Sequence, residues 1–298
     1  MNPYQIGDVK VHLLSDSSYY TDAGAMFGII PKPVWSRHAK TDRRGRVPLA
    51  VNCYLIQTRR HNILVDTGLG NKLNPTWRDR YAVKKDGRLV EELAGVGLSP
   101  DDVDFVVLSH LHFDHAGGAT TIDEEGVPRI AFPKATYYIQ RRDWLDATHP
   151  NERTRGGYQP EDFLPLKEAG RLRLLEGDHY ITKNVSIVVT GGHTTAHQIV
   201  RISSRHRLAY FPGDIVPTAA YVTPAYATAY DLYPLTTLDW KKTILRRAVR
   251  RRALLFLPHE IKHPVGLVEL DENKRYVYKP VEPGEEPAPR RPKKRKEK

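Results

Sequence analysis

The stretch Asp104-Phe-Val-Val-Leu-Ser-His-Leu-His-Phe-Asp-His-Ala-Gly-Gly118 constrains this chain more than any other. Phe105 to Leu108 is a short apolar run, the pattern of a buried strand. It ends at Ser109 and releases His110, His112, Asp114 and His115, four metal-ligand side chains within six residues. In an extended segment, residues two apart point the same way, so His110 and His112 can grip one ion. A turn after Phe113 would aim Asp114 and His115 at a second site beside it. Imidazole and carboxylate suit zinc and similar first-row metals. Gly117 and Gly118 let the backbone bend tightly behind the ligands. The plain alternative is a histidine-rich turn on a solvated surface.

The same pattern, an apolar run followed by glycine and a ligand-type residue, recurs along the chain. Val51 to Gln57 and Asn62 to Val65 read as a hairpin whose second strand ends in Asp66-Thr67-Gly68. A carboxylate there is placed to hold the second ring N–H of a ligand histidine and fix its tautomer. Val185 to Val189 delivers Thr190-Gly-Gly-His-Thr-Thr-Ala-His197. His193 is the candidate ligand, and His197 reads as a hydrogen-bonded structural residue. Leu208 to Phe211 ends in Pro212-Gly213-Asp214, and Ala253 to Leu257 ends at Pro258-His259, with His263 as a weaker competitor for the same role. The one cysteine, Cys53, lies in an apolar run and reads as a small core residue.

The 110–115 segment resembles the His-x-His-x-Asp-His signature of the metallo-β-lactamase-fold hydrolases. The order Asp66, His110/His112/Asp114/His115, His193, Asp214, His259 is similar to that of the binuclear members across most of residues 5–270. The resemblance implies an α/β (α+β) fold, a four-layer αβ/βα sandwich of two mostly antiparallel sheets with the metals at one edge. It implies that His110, His112 and His193 bind one metal, that Asp114, His115 and His259 bind the other, and that Asp214 bridges them. Two divalent ions per chain follow, zinc first, with iron, cobalt or manganese also compatible with the ligands. Such a pair holds a bridging hydroxide that attacks an electrophilic carbonyl or phosphoryl, with Asp114 helping to pass a proton to the leaving group.

Several branches of that family separate on single features. His112 stands where oxygen-reducing di-iron relatives carry glutamate, which favours hydrolysis. The large inserted segments of the nucleases are missing. Met26 to Trp35, Arg46 to Ile56, Gly213-Asp-Ile-Val-Pro-Thr-Ala-Ala220 and Tyr230-Asp-Leu-Tyr-Pro234 resemble the quorum-quenching N-acyl-homoserine lactonases and, more distantly, methyl parathion hydrolase. The implied partner is a small-molecule lactone or ester, opened to a hydroxy acid. Phe27, Ile30 and Trp35 are candidates for an apolar acyl cleft. A relative's substrate-contacting tyrosine falls on Pro217 here, which leaves Tyr221, Tyr226 and Tyr230 as candidates, Tyr221 and Tyr230 foremost. The alternatives are a thioesterase of glyoxalase II type or an organophosphate or aryl-ester hydrolase of the same fold. From a different class, an RNA-binding or RNA-processing protein would use the basic tail.

Of the formal net charge of +11 among 298 residues, +6 sits in residues 290–298, leaving +5 for the rest. Residues 281–298, rich in Pro, Glu and Lys, therefore read as a disordered basic tail with at most weak nucleic-acid contacts, and residues 1–280 as the hydrolase domain. Val9 to Leu14 reads as a first strand and residues 15–50 as a long lid, or as an arm packed on a second subunit that would make a homodimer. Leu89 to Val96, Arg141 to Ala147 and Asp239 to Arg252 read as helices, and 149–170 as irregular. No apolar run approaches the ~20 residues of a membrane span. Without a basic start followed by an apolar stretch, no signal peptide is expected, and a cytoplasmic protein is the default.

Overall fold

The computed structural model describes residues 2–83, 85 and 87–285. Two seven-stranded sheets lie face to face. The first runs, in spatial order, Tyr4–Ile6, Val9–Asp22, Arg46–Gln57, Asn62–Val65, Phe105–Val107, Thr136–Gln140 and Leu172–Leu175; the second His179–Tyr180, Val185–Val189, Gln198–Ser204, Arg207–Phe211, Leu254–Phe256, Val265–Leu270 and Tyr276–Pro280. Period-two alternation assigns each residue its layer. Ile63 and Val65 face the second sheet, where they meet Ile187, Val200, Phe211 and Phe256. Leu64 between them points outward with Cys53, Leu55 and Val106. That outer face is covered by the helices Leu89–Ala94, Arg141–Thr148 and Pro160–Glu168 through Leu93, Trp144, Phe163 and Leu166. The helix Pro234–Arg251 covers the outer face of the second sheet through Ile244, Leu245 and Ala248. This is the four-layer αβ/βα sandwich that the family resemblance implies.

Four expectations change. The first sheet is mixed, with three antiparallel pairings followed by three parallel ones; its parallel strands need covering crossovers, and the outer helices lie in those connections. The segment 149–170 is not wholly irregular, because Pro160 occupies the first turn of a helix in which Phe163 and Leu166 are buried. The last helix begins at Pro234, five residues earlier than its apolar pattern suggests. The long segment 15–50 is sheet at both ends: the first long strand continues to Asp22, and its partner starts at Arg46.

The last change has a definite cause. Ser15 pairs with Asn52 and Ser17 with Val51, so Asp16 is an extra residue, a bulge. Alternation therefore changes phase there. Val9 and Val11 face between the sheets, but beyond the bulge Tyr19 pairs with Leu49 and both belong to the other core. Asp16 is fully buried, and its carboxylate accepts the N–H groups of Leu69 (2.9 Å) and Leu89 (3.3 Å) and the hydroxyl of Ser17 (3.0 Å).

Between the two long strands lie only the short helices Ala23–Phe27 and Lys32–Trp35. Of the basic tail, residues 286–298 lie outside the described residues. Val281 is buried against the inter-sheet core, and its N–H donates to Val265 O at 3.0 Å. Among the described residues no helix is long and apolar enough to cross a membrane.

Candidate metal centre

Strand direction brings the ligand-type residues together. Asn62–Val65 and Phe105–Val107 run parallel, as do Arg207–Phe211 and Leu254–Phe256. Val185–Val189 is antiparallel to Gln198–Ser204, which is antiparallel to Arg207–Phe211, so it shares their direction. The C-terminal ends of these strands release Asp66, His110, His193, Asp214 and His259. Gln198 ties the sheets at this edge: its side-chain Nε2 donates to Leu108 O (2.7 Å), its backbone N–H to Ser109 O (2.9 Å), and its side-chain Oε1 accepts from Gln140 Nε2 (2.8 Å). The turn expected after Phe113 is a helical turn, Phe113–Ala116, with His112 at its N-cap. Gly117 and Gly118 serve differently from expectation. Neither has a positive φ; instead a side chain there would lie 2.3 Å from Leu69 O and 2.1 Å from Thr67 O, so they permit close backbone approach.

Seven donors converge. His110 Nε2 lies 2.9 Å from His112 Nδ1, which lies 3.2 Å from His193 Nε2. His115 Nε2 lies 3.2 Å from His259 Nε2, and Asp114 Oδ2 is 3.7 and 3.6 Å from those two nitrogens. Asp214 stands between the trios, with Oδ2 3.2 Å from His193 Nε2 and Oδ1 3.2 and 3.5 Å from the Nε2 atoms of His259 and His115. The His/Asp groups His110–His112–His193, His110–His115–Asp214 and Asp114–His115–His259 each gather within 4.8 Å. Nitrogens held ~2.0–2.1 Å from a tetrahedral zinc stand about 3.3 Å apart, close to the spacings here. Asp214 Oδ1 is buried without a hydrogen-bond partner, and a carboxylate oxygen left so facing imidazole nitrogens fits a cation.

The far nitrogen is anchored in four of the five rings. His115 Nδ1 donates to Asp66 Oδ2 (2.7 Å), His193 Nδ1 to Asp231 Oδ1 (2.8 Å) and His259 Nδ1 to Ala50 O (2.8 Å), while His110 Nδ1 meets Ser109 Oγ (3.1 Å). These four rings turn Nε2 inward; His112 alone turns Nδ1 inward. Asp66, in the left-handed region at φ 54°, also accepts the Ser109 N–H (2.6 Å) and hydroxyl (2.8 Å), so its place is fixed from three sides. His197 accepts the Asp214 N–H (3.2 Å) and bonds Thr190 (2.8 Å), the structural role its sequence suggests. Asp143 joins two of the loops by accepting from the Leu111 N–H (3.0 Å) and from the Thr194 hydroxyl.

Burial, then the neighbouring histidines, holds His110 well below its usual pKa, and burial with His193 brings His112 to about 3. Burial also opposes a charge on His115, but the carboxylates of Asp114, Asp214 and Asp66 outweigh it and raise that ring well above the usual value. Asp214 is the converse: burial alone would raise it, and His115, His193 and His259 hold it well below the carboxylate range. Ligation needs each imidazole with its inward nitrogen unprotonated, so a cation and a proton compete at these rings.

A cavity of about 330 Å³ opens over the cluster. Asp114, His112, His193, Asp214 and His259 form part of its lining, with Tyr19, Met26, Leu49, Tyr81, Phe113, Tyr230 and Leu232 as mainly apolar wall. Of the residues expected to contact a substrate, Tyr230 lines it, with its hydroxyl 2.8 Å from Thr21 Oγ1. Tyr221 does not: it is buried and its hydroxyl donates to Met26 O. Phe27 and Trp35 are buried too, stacked on each other at 4.9 Å, and Ile30 packs against the same cluster; none of the three is among the residues that line the cavity, whereas Met26 is. Tyr226 is a packing residue, and His263 stands apart, half-exposed beside Glu282. Sequence reasoning missed Asp231 and Tyr19. Asp231 was open to suspicion as a carboxylate after the 219–230 loop. Tyr19 was hidden by the phase change at Asp16.

A family model, the metallo-beta-lactamase superfamily, matches residues 46–259. The chain belongs to that superfamily. Within it, the chain is 32% identical over 166 residues to the N-acyl homoserine lactonase AiiA of Bacillus thuringiensis subsp. kurstaki, covering 52% of this chain and 59% of AiiA; the match thus spans less than two thirds of that relative's length. A probable metal-dependent hydrolase from Staphylococcus aureus superposes with a TM-score of 0.86 at 30% identity, covering 93% of this chain and 99% of the other. AidC, a dizinc quorum-quenching lactonase solved with a product, superposes at 0.76 with 20% identity over 94% and 97% of the two chains, which is a likeness of fold. As a metallo-beta-lactamase superfamily member with clustered His and Asp donors, the chain carries the means to bind divalent metal.

Proposed function

We propose that this superfamily member is a binuclear metal-dependent hydrolase that opens lactone rings, with N-acyl-homoserine lactones as the leading substrates. The observation that carries the proposal is the position of Asp214, one oxygen toward His193 and the other toward His115 and His259, beneath a cavity of about 330 Å³. In this reading His110, His112 and His193 hold one ion, Asp114, His115 and His259 hold the other, and Asp214 bridges them. Asp66 and Asp231 fix ring tautomers from behind. Zinc leads the candidates on ligand type, with iron, cobalt and manganese also accommodated. Residues 1–280 form the hydrolase domain. The likeness to AiiA supports the substrate class, and the volume suits a small molecule, within the ~300–1,000 Å³ usual for such sites.

When bound, the ions supply an activated water near neutral pH and draw charge from the substrate carbonyl. Ring opening adds water across one bond: the carbonyl carbon gains an oxygen, the ring C–O bond breaks, and the leaving oxygen takes a proton. Asp114 lies on the cavity wall and carries that proton. Tyr230 orients the substrate from the cavity wall, and Met26, Leu49, Phe113 and Leu232 exclude water from the acyl side.

The test is lactone hydrolysis followed by pH-stat on purified, metal-quantified protein, with short and long acyl-homoserine lactones and His112→Ala as control. Turnover that disappears in the variant supports the reading. Protein that carries two equivalents of metal and turns over no lactone sinks the substrate assignment and directs the assay to thioesters and phosphotriesters.

A further inference from the structure

The long strand Val9–Asp22 carries Tyr19 into the ligand cluster, beyond every motif that marks the centre. Its hydroxyl donates to Asp114 Oδ2 at 2.6 Å. Oδ2 is also the oxygen nearest His259 Nε2 (3.6 Å) and His115 Nε2 (3.7 Å). Among the described residues no hydrogen bond reaches Oδ1. The tyrosine ring has no freedom of its own. It is 5% exposed and makes edge contacts with Tyr81, Phe113 and the ring of His259 at 5.8, 6.1 and 6.1 Å.

The two oxygens of an aspartate are equivalent until something distinguishes them. A hydroxyl donor held by packing does so, because a hydrogen bond to a carboxylate is charge-assisted. An ionised carboxylate oxygen has two lone pairs, so Oδ2 can accept from Tyr19 and still face a cation. The other members of this trio are fixed by different groups, His115 by Asp66 and His259 by Ala50 O. Asp114 is the member whose orientation depends on Tyr19. The trio His110, His112 and His193 makes no hydrogen bond to Tyr19.

We infer that Tyr19 is a positioning residue that selects which oxygen of Asp114 faces the His115–His259 site and leaves the other oxygen to the cavity. This rests on the reading of Asp114, His115 and His259 as one metal site. It follows that the two sites respond unequally when the hydroxyl is removed. Tyr19→Phe keeps the ring and its packing. Loss of an outer hydrogen bond of this kind weakens metal binding by about 10- to 100-fold.

The experiment titrates the full-length protein, loaded with zinc and separately with cobalt(II), against a chromogenic chelator. It compares the natural chain with Tyr19→Phe, Tyr81→Phe and Asp114→Ala. In Tyr19→Phe one metal equivalent is released about 10- to 100-fold more easily, the other is released as before, and the cobalt(II) visible bands of the weakened equivalent alone shift. Tyr81→Phe releases both equivalents as the natural chain does. Asp114→Ala weakens the same equivalent more severely. If Asp114→Ala has its selective effect and Tyr19→Phe does not, the positioning role is overturned and the site reading stands. If neither variant loses metal, the site reading falls and takes the positioning role with it. Equal weakening of both equivalents by Tyr19→Phe, with a matching drop in Tm, overturns the proposal in favour of general packing.

Discussion

Asp231 anchors the centre from behind, and its removal gives a graded test. Its Oδ1 accepts His193 Nδ1–H at 2.8 Å and the Thr228 hydroxyl at 3.1 Å, and the residue is 3% exposed, so water cannot replace it. Asp231→Ala leaves a buried imidazole N–H without a partner, a cost of about 1–3 kcal/mol to the fold. It also frees His193 to rotate and to take the wrong tautomer. Losses behind a metal-binding histidine run to about 10- to 100-fold in metal affinity, or roughly 1.4–2.8 kcal/mol. Asp231→Asn keeps an oxygen acceptor at the same place and loses only the charge, so its effect should be smaller, about tenfold or less on the same scale. The assay is competition for zinc with a chromogenic chelator, read beside a thermal melt. The expected order of affinity is natural chain, Asn, Ala. Asn and Ala variants that both bind zinc as the natural chain does would refute the anchoring argument. An Asn variant as weak as Ala would show that the charge, and not the hydrogen bond, matters.

Three further outcomes follow from named groups. Burial raises the Asp143 carboxyl to about 6 from an ordinary 3.8, against the pull of Thr194 and Leu111; the folded protein thus holds this proton more tightly than the unfolded chain. The associated stability is fully present below about 3.8 and lost as pH rises through about 6, so the stability difference between the natural chain and Asp143→Asn should change across that window and be flat above it by denaturant titration. Tyr221→Phe removes a buried hydrogen bond to Met26 O, behind a residue of the cavity wall; it should lower stability by about 1 kcal/mol in a melt. Chelation should lower Tm, and restoring free metal to about a hundredfold above its Kd should return about 2.7 kcal/mol per site.

Much of the centre was legible because its ligands follow strands that are apolar on both faces. Such strands read as short uninterrupted runs, and what comes directly after them is conspicuous: His110 after Phe105–Val107, Asp214 after Arg207–Phe211, His259 after Leu254–Phe256. Residues that reach the centre from elsewhere carry no such mark. Asp231 lies two residues past the loop end Ala229 and before a helix, a position where a capping or turn role is the ordinary reading. Tyr19 lies in Ser-Asp-Ser-Ser-Tyr-Tyr-Thr-Asp, a polar sequence whose alternation is broken by Asp16, so strand looked like loop. Of the expected substrate contacts, Tyr230 lines the cavity and Phe27 and Trp35 do not. Hydrophobicity made Phe27 and Trp35 candidates for an apolar cleft, but it does not distinguish a residue facing a cavity from one stacked beneath it.

The extra residue at position 16 also bears on how the length of this chain can vary. Because Ser15 and Ser17 already oppose neighbouring residues of the partner strand, excising Asp16 would close the ladder with every later pairing intact, Tyr19 still opposite Leu49. What would disappear is the carboxylate that grips the Leu69 and Leu89 N–H groups and crowds Gly68, where a side chain would come within 2.5 Å of it. A one-residue deletion here would be silent in the sheet and felt at the turn that carries Asp66. An ungapped comparison with a chain lacking that residue would set Tyr20 where Tyr19 belongs, and so conceal the hydroxyl beside Asp114 in the very position where it should be sought.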